Sequence, residues 1–207
     1  MAAIIFDFDG TIADSFEVVV RIFHELTGRH EPIGPAEIER LRGMSILQVT
    51  EELHIQPWKM PFLLMRGRRR MNRRMGGITA QPGVPGVVRK LYEEGHQLFI
   101  VSSNSQKNIR LFLRQHHMNK EFVKLYGGVG LLGKSKMLKK VLRRNKLDPG
   151  NTWYVGDEVR DINGAHQAGL HVAAVAWGYN TVDILREHQP NRLIETPAEL
   201  LDFLEEI

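Results

Sequence analysis

Short apolar runs alternate with amphipathic stretches along most of this chain. The runs Ala3–Phe8, Gln97–Ser102, Val123–Tyr126, Thr152–Val155 and Val172–Ala176 read as buried strands, with a weaker one at Arg192–Ile194. Between them the apolar positions recur at helical spacing over Pro85–Glu94, Gln106–His116, Ser135–Lys146, Ile162–Ala168, Thr181–Glu187 and Pro197–Glu205. Gly95 follows the first of these helices as a stop signal, and Thr196-Pro197 supplies an N-cap and first-turn pair for the last. Strands that alternate with helices in this way predict an α/β fold with a parallel sheet covered on both faces.

One stretch breaks the alternation. From Ser15 to about Thr79 the pattern is helical, with no convincing strand. Met60, Leu64, Met71, Met75 and Ile78 form an apolar stripe at spacings of three, four and seven, and arginines cover the rest of that helix. Gly76-Gly77 and Gln81-Pro82-Gly83 punctuate its end. The chain therefore reads as a core of residues 1–14 and 80–207 interrupted by a helical domain of residues 15–79, with hinges near Thr11–Phe16 and Gly76–Gly83.

Composition narrows the possibilities. At 207 residues the chain can bury a real core, and its 43% hydrophobic and 25% charged content is ordinary for a globular protein. It has no cysteine, which excludes disulfides, zinc–thiolate sites and cysteine nucleophiles. No apolar stretch nears the roughly 18 residues of a membrane span. No signal peptide is visible, so a soluble, cytoplasmic protein is expected. Formal net charge is +4, but its distribution is uneven. No Asp or Glu stands between Lys59 and Lys90, where Arg66, Arg68, Arg69, Arg70, Arg73, Arg74 and Arg89 fall. Such a patch attracts phosphates or carboxylates. Nucleic acid is the least favoured partner, because the cluster shows no aromatic interleaving and no recognised nucleic-acid module.

The first strand ends in Asp7-Phe8-Asp9-Gly10-Thr11. Carboxylates are costly to bury unpaired, so a strand that drives two of them to its carboxyl end implies a cation and a reaction. In an open parallel sheet, ligands bind beyond the carboxyl ends of the strands. There the second strand offers Ser102-Ser103-Asn104 and the fourth Gly156-Asp157, while Lys134 precedes a helix that could reach the same place. Two carboxylates about 4 Å apart repel by roughly 4 kcal/mol at an effective dielectric near 20, and a phosphate adds to that. A divalent cation and a lysine answer the repulsion. The nine histidines form no metal-ligand spacing.

Asp7-Phe8-Asp9-Gly10-Thr11, Val101-Ser102-Ser103-Asn104, Gly133-Lys134 and Tyr154 through Asp161 resemble, in order, the four motifs of the haloacid dehalogenase superfamily. The resemblance covers nearly the whole chain, with phosphoglycolate phosphatase-like members nearest in overall look. It implies a Rossmann-like core with an inserted helical (type 1) cap, and a Mg²⁺-dependent phosphatase acting on a small phosphorylated metabolite. It implies Asp7 as nucleophile, Asp9 as general acid and base, and Mg²⁺ held by the Asp7 carboxylate, the Asp9 backbone carbonyl and the Asp157 carboxylate. Ser102 with the following amides, together with Gly10, Thr11, Ser103 and Asn104, would bind substrate, and Lys134 would neutralise charge. The motif-two hydroxyl is Ser102 or Ser103, and the motif-three lysine Lys134 or Lys136; the first of each pair is preferred. Asp161 reads either as a helix cap or as support for the metal site. Arg42-Gly43 sits where a substrate-facing cap loop is expected. Asp9 favours phosphoryl transfer over dehalogenation. The alternatives are a sugar-phosphate mutase of the β-phosphoglucomutase type and, from another class, a basic nucleic-acid-binding module.

Overall fold

In the computed structural model, residues 1–28, 34–44, 48, 51, 56–130 and 133–206 are described. Six parallel strands form one sheet in the order β3-β2-β1-β4-β5-β6: β1 Ala3–Phe6, β2 Gln97–Val101, β3 Phe122–Tyr126, β4 Thr152–Gly156, β5 His171–Val175 and β6 Arg192–Ile194. β1 is central, with Ile5 opposite Phe99 on one side and Tyr154 on the other. Among the described residues, the helices whose bounds are defined are, in chain order, α1 Phe16–Thr27, α2 Pro35–Arg42, α3 Met60–Arg74, α4 Val84–Glu93, α5 Gln106–Gln115, α6 Lys134–Asn145, α7 Val159–Ala168, α8 Val182–Glu187 and α9 Pro197–Glu205.

The strands bury both faces because their residues alternate between two cores. Ile4 and Phe6 of β1 join Val87, Val88 and Leu91 of α4, Ile109 and Phe112 of α5, and Leu200 and Leu204 of α9. Ala3 and Ile5 face the opposite way, with Leu138 and Val141 of α6, Ile162 and Ala165 of α7, and Leu185 of α8. Element ends follow the expected signals. Gly95 takes a left-handed φ of 86° after α4, and the Thr196 hydroxyl accepts the Glu199 amide at the start of α9.

β1 stops two residues earlier than its apolar run predicts. The Asp7 amide still donates to Val155 O at 2.8 Å, but the carbonyl of Phe8 then accepts from Ile12 and Ala13. The chain curls over the sheet end, and Phe8 turns inward against Phe112 with ring centroids 5.0 Å apart.

Among the described residues, the segment between Ser15 and Thr79 carries helices and no strand. α3 packs along α1, where Gly67 faces Leu26 and Ile22. Met71, Met75 and Ile78 of the predicted stripe are buried and Met60 is partly so; the side chain of Leu64 lies outside the described residues. The two connections into this segment pair with each other. Asp14 N donates to Thr79 O and Gln81 N to Ile12 O, each at 2.9 Å, and Ala13 bridges Ala80.

Candidate active site

Strand order reverses about β1 and β4, which opens a crevice at their carboxyl ends. Asp7 lies one residue past β1, Ser102 one past β2 and Asp157 one past β4, while Lys134 is the first residue of α6. The sheet therefore gathers these groups at one point despite their separation in sequence.

Lys134 is the hub. Its ammonium donates to Asp7 Oδ2 at 2.8 Å and makes a closer contact with Asp161 Oδ1, beneath the ring of Tyr154. Burial works against its charge, but the fields of Asp161 and Asp7 outweigh that and raise its pKa. Lys136, two residues on, is exposed. Asp161 also accepts the backbone amides of Asp157 and Glu158 at 3.1 and 3.0 Å. It thus caps α7, one of the two roles the sequence offered, and anchors the lysine as well.

Asp7 and Asp9 have different surroundings. Asp7 is 1% exposed, and its second oxygen, Oδ1, is buried with no hydrogen-bond partner. Burial raises its pKa from 3.8 to about 7; Lys134 pulls the other way and Asp161 adds to the rise. Asp9 accepts the Asn104 side-chain amide on both oxygens at 3.1 and 3.0 Å and the Ser15 hydroxyl at 3.1 Å. Burial raises its pKa to about 6, and the hydrogen bonds from Asn104 and Ser15 limit the shift.

Asp157 has both oxygens engaged. Thr11 Oγ1 donates to Oδ1 at 2.6 Å and Tyr179 N to Oδ2 at 2.7 Å. Its carboxylate also fills the space where a Cβ on Gly10 or Gly178 would stand, so a side chain at either position would collide with it. Gly10 has a φ of 83° as well, which favours glycine independently. Gly10 and Thr11 thus both bear on Asp157. Ser102 is buried and its hydroxyl accepts the Asn104 amide at 3.0 Å; Ser103 is half-buried.

Arg42 lies at the junction of α2 with the loop after β5. Its guanidinium donates to Ala176 O at 3.1 Å and approaches Glu39 at 3.6 Å. Its carbonyl accepts Thr181 N and the Asn180 side chain, each at 3.2 Å. Its Nε is buried with no partner.

Four contributors escape the sequence reading. Glu158 brings a carboxylate oxygen within 4.8 Å of those of Asp7 and Asp161. Arg160 holds Glu158 at 2.9 and 2.5 Å. Ser15 and Tyr179 form the other pair: Tyr179 OH meets Ser15 Oγ at 2.9 Å, while the Tyr179 ring packs edge-on against Phe16. Glu158 and Arg160 lie inside the fourth motif, where the sequence assigns them no role, and Ser15 lies four residues past the first. No local signal marks Tyr179.

Five carboxylates (Asp7, Asp9, Asp157, Glu158 and Asp161) thus stand against two cations, Lys134 and Arg160. Burial, with the fields of Glu158, Asp161 and Asp7, pushes the pKa of Asp157 well up. A site with this imbalance favours a bound cation.

A family model described as haloacid dehalogenase-like hydrolase matches residues 4–175. The chain belongs to the haloacid dehalogenase-like hydrolases. It is 34% identical over 209 residues to a phosphoglycolate phosphatase from Synechococcus elongatus, covering 100% of this chain and 99% of that protein. A 5'-nucleotidase from Pseudomonas aeruginosa is 26% identical, covering 98% and 95%. Among solved structures, a predicted phosphatase from Clostridium acetobutylicum superposes with a TM-score of 0.84 at 16% identity, covering 100% of this chain and 99% of that one. A haloacid dehalogenase-like family hydrolase from Streptococcus pneumoniae gives 0.81 at 20%, covering 99% and 98%. Those two likenesses establish the fold, and the full-length relative establishes this haloacid dehalogenase-like chain as a phosphatase.

Proposed function

We propose that this phosphatase hydrolyses small phosphorylated acids, phosphoglycolate foremost, through a covalent phosphoryl intermediate on Asp7. The observation that carries the reading is the Asp7 carboxylate, with one oxygen held by Lys134 at 2.8 Å and the other buried and unpartnered. A buried acceptor left free is costly unless something meets it. A phosphorus atom or a metal ion suits that place.

In the first half-reaction, Asp7 Oδ1 forms a bond to phosphorus while the ester P–O bond breaks. Asp9 gives its proton to the departing oxygen, and a pKa of about 6 suits a group that must both give and take a proton near neutrality. In the second, Asp9 removes a proton from water as the water oxygen attacks phosphorus, which releases Asp7 and free phosphate. Lys134 keeps Asp7 oriented and offsets charge as phosphate arrives. The Ser102 hydroxyl, which accepts the Asn104 amide and keeps its own hydrogen to donate, and the Ser103 amide would receive the phosphoryl oxygens.

The donor set suits Mg²⁺, a hard cation that prefers oxygen ligands. The Asp7 carboxylate, the Asp9 carbonyl and the Asp157 carboxylate would hold it, with Glu158 and Asp161 supplying further negative charge close by. When bound, the ion neutralises charge between nucleophile and phosphate. Residues 15–79 would act as a cap over a core of residues 1–14 and 80–207, hinged at the paired connections, so that closure excludes bulk water. Arg42, at the junction of α2 with the loop carrying Tyr179, would set the approach of that cap.

A panel of phosphorylated metabolites, assayed for phosphate release with and without Mg²⁺, tests the substrate class. Many turnovers of free phosphate from phosphoglycolate support it. Transfer between sugar positions without phosphate release would point to a mutase instead. Asp7→Asn should lower turnover on the order of 10⁴-fold or more, with the fold retained. Wild-type rates in that variant would overturn the covalent route.

A further inference from the structure

Asp9 is tied to the helical segment by an unbroken chain of side-chain amides. Asn104 Nδ2 donates to both Asp9 oxygens at 3.1 and 3.0 Å. Asn108 Nδ2 donates to Asn104 Oδ1 at 2.8 Å and, with its second hydrogen, to Asn72 Oδ1 at 2.6 Å. Asn72 is on α3, while Asn104 and Asn108 flank the start of α5. Three amides therefore span the junction between the two parts of the molecule and end on one carboxylate.

The direction of every bond in the chain follows from its end. An ionised carboxylate only accepts, so Asn104 must present its NH₂ to Asp9. Its carbonyl oxygen then faces the other way, where the Ser105 amide also donates to it at 2.8 Å. Asn108 must in turn present its NH₂, and the remaining hydrogen needs an acceptor from α3. The backbone around these residues is held: Ser105 Oγ accepts the Asn108 amide at 3.2 Å, and Asn108 is 4% exposed. The links that can turn are the side-chain amides themselves.

We propose that Asn72 is a positioning residue, which fixes the orientation of Asp9 through Asn108 and Asn104 when α3 lies against α5. With α3 in place, Asn108 has both hydrogens bound and cannot rotate, and Asn104 is locked on Asp9. With α3 withdrawn, Asn108 keeps one acceptor and the lock on Asn104 loosens. Proton transfer is thereby linked to closure of the helical segment. The inference rests on reading Asp9 as the acid and base.

Two variants separate this from simple docking of a helix. Asn72→Leu removes the acceptor; Asn72→Asp keeps it. A misplaced general acid harms substrates with poor leaving groups most. Asn72→Leu should lower kcat on an alkyl phosphate such as phosphoglycolate about tenfold, with KM within about twofold, and lower it less than about twofold on p-nitrophenyl phosphate. Asn72→Asp should restore most of the loss. Equal losses on both substrates, a change confined to KM, or no rescue would overturn the proposal. An NMR arm reads the linkage without turnover: the Asn104 side-chain NH₂ resonances should move in Asn72→Leu and return in Asn72→Asp. Unmoved resonances overturn the linkage. Failure of the wild type to hydrolyse any phosphate ester would sink the phosphatase mechanism, and the resonances would still decide the relay.

Discussion

At the carboxyl ends of the strands, Lys134 is buried between Asp7 and Asp161, and Arg160 is held on Glu158. On α3 the cations stand differently. Arg70 and Arg74 share Glu25 at 3.4 and 2.6 Å, Arg66 lies over the Phe62 ring, and Arg68, Arg69 and Arg73 are exposed. The same kind of charge therefore has two different weights. At Lys134 the cation compensates two carboxylates that cannot reach water, so each partner depends on the other, whereas the Arg160–Glu158 pair is partly exposed. At Arg68, Arg69 and Arg73 water and salt already solvate the charge, and pairing would add little.

Removing a crevice cation should have the larger effect. Lys134→Met would leave Asp7 and Asp161 facing each other across a dry gap. Breaking one half of a buried pair costs about 3–5 kcal/mol, which for a chain of this size lowers Tm by roughly 6–20 °C. The loss should be fullest near pH 8 and smaller near pH 5, because protonation of Asp7, whose pKa burial already raises to about 7, relieves the repulsion. A melt within 2 °C of wild type at pH 8 would mean that the pair is not compensating.

The next effect belongs to the metal-free protein and to protons. Asp7 titrates at about 7 and Asp9 at about 6, both above the ordinary 3.8 of a carboxyl in an unfolded chain. Between those values the folded state holds more protons than the unfolded one. Stability from these groups is therefore complete below about pH 4 and is lost as pH rises toward 7. A rise of about two pH units at Asp9 alone corresponds to about 3 kcal/mol. Mg²⁺ competes with those protons, so its stabilisation should be larger at pH 8 than at pH 5. Thermal melts in EDTA and in Mg²⁺ at the two pH values check this, and a larger Mg²⁺ effect at pH 5 would reverse the assignment.

The same contrast explains what the sequence could reveal. Buried strands are legible because both their faces are apolar: Ile4-Ile5-Phe6 has no polar position to confuse the pattern. Site residues at strand ends are legible because a carboxylate after such a run is energetically odd. Partners joined through space leave no local trace. Thr11 meets Asp157 across 146 residues and Ser15 meets Tyr179 across 164. Nothing near Tyr179 or Asn72 announces either contact. The end of β1 differs from its apolar run for a related reason. Phe8 is as apolar as a strand residue, but its carbonyl closes a turn on Ile12 and Ala13 instead of continuing the ladder. The polar groups of the crevice are thus partly readable from their cost, whereas those of α3 are ordinary surface residues until the fold shows what lies opposite.

The smallest effects should come from the exposed arginines of α3. Arg68→Ala, Arg69→Ala and Arg73→Ala should each change stability by less than about 0.5 kcal/mol, since each removes a solvated charge from a helix surface. Their influence on activity should act through the field. The three changes together should raise KM for an anionic phosphate a few-fold at low ionic strength and leave kcat unchanged, with the difference vanishing near 0.5 M salt as screening shortens to a few ångströms. Steady-state kinetics across a salt series reads this directly. A KM effect that survives high salt would mean that one of these arginines touches substrate. In that case the division between a crevice where charge is structural and a helix where it only steers would have to be redrawn at that residue.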